Sequence, residues 1–174
     1  MTNTRFTLKG LAVLRTVWLR AVGCCVLVAA LLSASACMPA PQTGNTPAAG
    51  TPMSRTIVDP YLKIQAALAA DSVEGVRQNA GDIATAATAL GAPAMKIDTS
   101  AIQLAATTEL ADAREKFGML SAAIDTYMTG LHLTPPEGVK VAYCPMVNKP
   151  WMQEGDAIAN PYYGKEMPTC GNFK

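Results

Sequence analysis

The sequence predicts a mostly α fold, a small antiparallel four-helix bundle with an irregular C-terminal loop region. Three observations predict it. Between residues 57 and 134 apolar residues recur at three- and four-residue steps, the period of a helix with one buried face. Gly, Pro and Asp punctuate those stripes at short intervals, which suits antiparallel neighbours joined by short loops. Beyond Pro135-Pro136 the helical period stops, and Cys, Met, Pro and aromatic residues take over. The expected layout is a signal peptide over 1–36, a lipid-anchored flexible linker over 37–56, and one domain over 57–174. That domain comprises the bundle (57–134) and a Cys/Met loop region (135–174) packed on it.

The N-terminal part reads as targeting rather than fold. Arg5, Lys9, Arg15 and Arg20 come before an apolar run from Ala21 to Leu32 and the small residues Ser33 to Ala36, the pattern of a cleaved signal peptide. The uncharged stretch is shorter than the roughly 20 residues that a permanent membrane span needs. Two cleavage readings stay open. Ala34-Ser35-Ala36 suits ordinary signal peptidase, whereas Leu31, Leu32 and the Ser35-Ala36 pair before Cys37 resemble a lipobox, with Ala34 where Leu is usual. The lipobox is favoured, because lipidation of Cys37 removes an odd unpaired thiol at a mature N-terminus. The protein is then expected on the periplasmic side of a bacterial envelope, held to the membrane by lipid. From Met38 to about Thr56 there is almost nothing bulky enough to bury, so this stretch reads as a tether.

The first helix is expected to open at Asp59-Pro60, an N-cap candidate before a proline at the first helical position, and to bury Tyr61, Ile64 and Leu68. Asp71 and Glu74 form a capping-box pattern for a second helix, with Val73, Val76, Ala80, Ile83, Ala87 and Leu90 on its stripe and Gly91 and Pro93 ending it. A shorter helix follows Asp98 to Ser100 and includes Ile102, Leu104 and Ala105. The fourth carries the cleanest stripe: Leu110, Ala113, Phe117, Leu120, Ile124, Tyr127 and Leu131. Arg114 and Glu115 lie off that stripe and are expected to tolerate substitution unless a buried pairing holds them. Met119 and Met128 read as packing residues. Val139 to Tyr143 alternates as a short strand does.

The chemistry concentrates after that strand. Cys144-Pro145-Met146 and Met167-Pro168-Thr169-Cys170-Gly171 bracket one loop. Thiolate and thioether are the soft donors that select Cu(I), so Cys144, Met146, Met167 and Cys170 form a candidate four-sulfur metal site. A Cys144–Cys170 disulfide is the competing reading, since an oxidising compartment pairs cysteines at the ends of a compact loop. Under that reading Trp151, Tyr162 and Tyr163 would form a docking surface for another envelope protein. Spacing alone leaves both open, although a long irregular segment calls for a staple of one kind or the other.

Other chemistries are poorly supplied. His132 is the single histidine, and at the end of the fourth helix it suits the helix dipole better than catalysis, with a role as accessory ligand open if that helix ends near the loop. A phosphate-binding Gly loop, a His-rich metal motif and a nucleophile elbow are all missing, so an enzyme is not expected. Counted from Cys37, ten Lys and Arg stand against thirteen Asp and Glu, a balance of −3. No basic stripe points to nucleic acid.

Taken together, Tyr61-Leu62-x-Ile64-Gln65-x-Ala67-Leu68-Ala69-x-Asp71, Arg114-x-x-Phe117-x-x-Leu120-Ser121, Cys144-Pro145-Met146, Trp151, Ile158-x-Asn160-Pro161-Tyr162-Tyr163-Gly164, Met167 and Cys170-Gly171 resemble a bacterial envelope domain of formally unknown function. That type is also found attached to some Cus-type copper and silver efflux adaptor proteins. The likeness covers about residues 59–174. It implies heavy-metal handling, namely copper buffering, delivery or efflux with Cu(I) as the ion, with metal efflux or envelope proteins as partners, and it tilts the sulfur loop toward the metal reading. The adaptor's coiled-coil, barrel and lipoyl-like regions have no counterpart here, which implies a free-standing accessory.

Overall fold

The computed structural model describes residues 48–174; the signal peptide, the cleavage region and Cys37 lie outside the described residues. Four helices come first: α1 Arg55–Ala69, α2 Val76–Leu90, α3 Met95–Ala105 and α4 Leu110–Gly130. Three strands follow, β1 Val139–Cys144, β2 Lys149–Glu154 and β3 Asn172–Phe173, in an antiparallel sheet of order β2-β1-β3. The expected bundle with an irregular loop C-terminus is therefore corrected to a helical array plus a sheet. The physical reason lies in the helices. They pack in series, α1 on α2, α2 on α3 and α3 on α4, while α1 and α4 barely meet, and β2 packs against both. The strand fills the side on which a four-helix bundle would close on itself.

Aromatic residues make that closure. Tyr61 of α1 lies 4.9 Å from Phe117 of α4, Phe117 lies 6.0 Å from Tyr162, and Tyr162 meets Trp151 of β2 edge-on at 5.9 Å. The Tyr61 hydroxyl pairs with Ser121 Oγ at 2.7 Å and accepts the Met152 amide at 3.2 Å, so it ties α1 to α4 and β2. Ile57, Ile64, Leu68, Ile83, Ile97, Leu104, Leu120 and Ile124, all buried, belong with Tyr61 and Phe117 to one apolar core. Among the described residues no helix is long and apolar enough to cross a membrane.

Three helix starts differ from expectation. α1 opens at Arg55, capped by Ser54, whose Oγ accepts the Thr56 amide; Pro60 thus sits inside it rather than at its first position. Ahead of it, Gly50 and Met53 donate their amides to His132 O and Thr134 O, and Met53 is buried. Asp71 does not cap α2. With φ of 63° it follows the end of α1, where the Asp71 amide bonds Leu68 O and the Ser72 amide bonds Ala67 O, a Schellman motif with Asp in the place Gly usually takes. α2 begins instead after Gly75, and α3 begins at Met95 after a 3-10 turn, Ala92–Ala94. Val73 and Leu90, placed on the stripe of the second helix by spacing, are exposed, and so is Ile102 in the third.

Candidate metal centre at Cys144 and Cys170

β1 and β2 form a hairpin in register from Val139↔Glu154 to Cys144↔Lys149, so Cys144 is the last paired residue before the turn. Met146 sits in that turn, 64% exposed, and Asn148 closes it at a φ of 54° while accepting the Tyr143 hydroxyl. β3 pairs along the other edge of β1, Ala142↔Phe173 and Tyr143↔Asn172. The same antiparallel register brings the residues entering β3, Cys170 and Gly171, beside Cys144. Gly171 has a φ of 145°, and a Cβ there would overlap the Trp151 ring. Glycine at this position lets the C-terminal segment lie flat on the indole.

Among the described residues Cys144 and Cys170 are both free thiols, Cys144 buried and Cys170 half-buried. They are neighbours. Burial pushes the Cys170 thiol up, and the adjacent Cys144 sulfur pushes it further. Burial also raises the Tyr162 phenol, with the charges of Tyr61 and Cys144 adding to the shift. Met167 and Cys170 share a turn in which the Cys170 amide donates to Met167 O at 3.3 Å. Of the four sulfurs that spacing singled out, the two thiols meet, Met167 lies a turn away from Cys170 and Met146 stands at the exposed hairpin tip.

Asn160 organises this corner. It is completely buried, and its Nδ2 donates to Cys170 O at 2.6 Å and to Cys144 Sγ at 3.5 Å. Its Oδ1 accepts the Tyr162 amide at 2.8 Å and the Tyr163 amide at 3.3 Å, while its own amide donates to Pro168 O. Asn160-Pro161 stands in the stretch where the helical period is lost, and its contact with sulfur has no signal in one dimension. Two glutamines extend the scaffold. Gln153 Oε1 accepts from Trp151 Nε1 and the Ala159 amide, and Gln65 Nε2 donates to Ala159 O at 2.7 Å.

A second polar node clamps the segment after Asn160. Arg114 donates from Nε to Pro161 O and from Nη2 to Leu68 O, each at 3.1 Å, and pairs with Asp71 Oδ1 at 2.5 Å. Asp71 Oδ1 also accepts the Lys165 amide. A Cβ on Gly164, whose φ is 52°, would overlap both Asp71 Oδ1 and Arg114 Nη2. The helical stripe leaves Arg114 tolerant of substitution unless a buried pairing holds it, and the part-buried pairing with Asp71 is present.

Two proposed roles do not fit the geometry. Trp151 is 1% exposed and Tyr162 is buried, with the Tyr162 hydroxyl donating to Pro150 O at 2.5 Å, so they form core rather than a docking surface; Tyr163 is half-buried. His132 is the αL residue closing α4, its amide on Thr129 O and its carbonyl accepting Gly50 N. Lys149, the pairing partner of Cys144, packs its side chain on Gly118 of α4. His132 lines a surface groove with Met128, Val141 and Lys174, whose lining includes none of Cys144, Met146, Met167 and Cys170. No family model, curated protein or solved structure matches the chain.

Proposed function

We propose that this is a lipid-anchored envelope protein that binds Cu(I) at Cys144 and Cys170, with Met167 and Met146 as thioether donors, and that it buffers or delivers copper in concert with metal efflux or envelope proteins. The adjacency of two free thiols on converging segments carries the reading. The donor chemistry suits the ion: a pair of thiolates with soft thioethers prefers Cu(I) to hard cations. Met146, exposed on the hairpin tip, is the donor that an incoming ion or a delivering partner reaches first. Cys37 supplies the lipid anchor.

Competitive titration of the reduced protein with Cu(I) against a chelator tests this reading. Met146→Leu and Met167→Leu each keep side-chain volume and fold, and each weakens binding; the double serine variant at Cys144 and Cys170 abolishes it. Identical curves for wild type and both leucine variants remove the thioethers from the site. A second reading rests on the same adjacency: in an oxidising compartment the two thiols form a structural disulfide. Thiol counting on protein isolated without reductant separates the two, because a fully oxidised pair holds no Cu(I).

A further inference from the structure

We propose that Asn160 is the positioning residue that holds Cys144 and Cys170 together as a bidentate dithiol, independently of any metal or covalent bond between them. The inference rests on the reading that the two sulfurs act as a pair, not on which ion they take. Three observations carry it. One nitrogen, Asn160 Nδ2, touches both partners, the sulfur of Cys144 and the carbonyl of Cys170. The side chain is fully buried, so no water competes for that donor. The opposite end of the same carboxamide is fixed by the Tyr162 and Tyr163 amides, and the main chain by Pro168 O and the Gly164 amide. Rotation of Nδ2 away from Cys144 Sγ and Cys170 O would break the Oδ1 bonds. Buried side chains that orient the donor atoms of a site from behind set its affinity by ~10–100-fold.

The strand ladder alone is not enough. β3 has two residues and pairs with β1 at Ala142 and Tyr143, leaving Cys170 beyond the last paired position. Asn160 is the side-chain bond that reaches back from the loop to close this gap.

The test uses phenylarsine oxide and no copper. Two S–H groups replace the oxygen on arsenic, forming two As–S bonds and one water with no change of oxidation state, and only a held pair of thiols keeps the product in the presence of excess monothiol. The full chain carries Cys24→Ser, Cys25→Ser and Cys37→Ser so that Cys144 and Cys170 are its only thiols. Asn160→Asp and Asn160→Ser retain an oxygen for the Tyr162 amide and delete the Nδ2 donor. Gln65→Ala removes a clamp on the same loop and leaves Asn160 in place. Expected results are one arsenical per wild-type chain, resistant to mercaptoethanol, a loss of at least ~10-fold in affinity for both Asn160 variants, and wild-type behaviour for Gln65→Ala. Equal retention by the Asn160 variants, or an equal loss in Gln65→Ala, overturns the proposal. If neither Asn160 variant folds, the wild type still decides: capture must shift the Asn160 side-chain amide resonances, and unmoved resonances overturn it. Failure of copper binding with intact arsenical capture would sink the metal reading alone.

Discussion

Asp71 sits in a backbone conformation that L-residues with a Cβ seldom adopt, and its carboxylate repays the cost through Arg114 and the Lys165 amide. Asn and Asp are the side chains that tolerate this region best, so Asp71→Asn keeps the helix cap and removes only the charge. The hydrogen bond from Arg114 holds the Asp71 carboxyl below the usual carboxylate range, against the opposing pull of burial. A depressed carboxyl stabilises the fold above its unfolded value of about 3.9 and loses that contribution as pH falls through the lower folded value. The stability gap between wild type and Asp71→Asn, measured by urea unfolding, should stay level above about pH 5 and shrink below about pH 4. A gap unchanged down to the acid limit would remove the charge from the account. Gly164→Ala should be worse than Asp71→Asn, since it combines a strained φ with overlap on both Asp71 and Arg114, and we expect a loss of more than ~2 kcal/mol. Asp71 was legible as a cap, but of the wrong helix: the same side chain favours an N-cap and an αL position, and only the fold chooses between them.

At the level of elements, periodicity located α4 and its buried face because that helix meets the core along one stripe. Ala113, Phe117, Leu120 and Ile124 are buried there, as is Met128, whereas Met119, expected as a packing residue, is exposed. Phe117→Ala should cost ~3–5 kcal/mol and Met119→Ala under ~1 kcal/mol in the same unfolding assay. Arg114→Ala should cost ~1.5–3 kcal/mol, because Pro161 O loses its donor, while Leu68 O keeps the Asp71 amide and the Asp71 carboxylate keeps only the Lys165 amide; Glu115→Ala stays within ~0.5 kcal/mol. Similar losses at Arg114 and Glu115 would show that the clamp contributes nothing. β1 announced itself by alternation, and β2 did not. Trp151, Met152 and Gln153 are consecutive and all buried, so the two-residue period of a half-exposed strand is erased. β3, at two residues, is too short to carry any pattern.

Across the whole molecule the C-terminal segment is secured without a covalent staple. The sheet fixes its two ends, Gln65 and Gln153 hold Ala159, Arg114 holds Pro161, and Asn160 holds the sulfur corner. Every buried side-chain nitrogen and oxygen among the described residues has a hydrogen-bond partner. Composition alone could not reveal this, because the clamps are polar side chains scattered over α1, α4 and β2 whose meeting depends on tertiary structure. The domain should therefore fold with both thiols reduced, keeping the near-ultraviolet signal of Trp151 and its aromatic neighbours. Oxidation to a Cys144–Cys170 bond should add no more than ~3–4 kcal/mol, the value expected for closing a loop of that length in the unfolded chain. Cu(I) acts differently, since it binds the folded reduced pair and stabilises by mass action, ~2.7 kcal/mol when free ion stands a hundredfold above Kd. Buffered Cu(I) should accordingly raise the unfolding midpoint of the reduced protein in proportion to the logarithm of its concentration and leave the oxidised protein unmoved. A midpoint of the reduced protein that ignores copper, alongside native material that is already oxidised, would make the corner a structural disulfide.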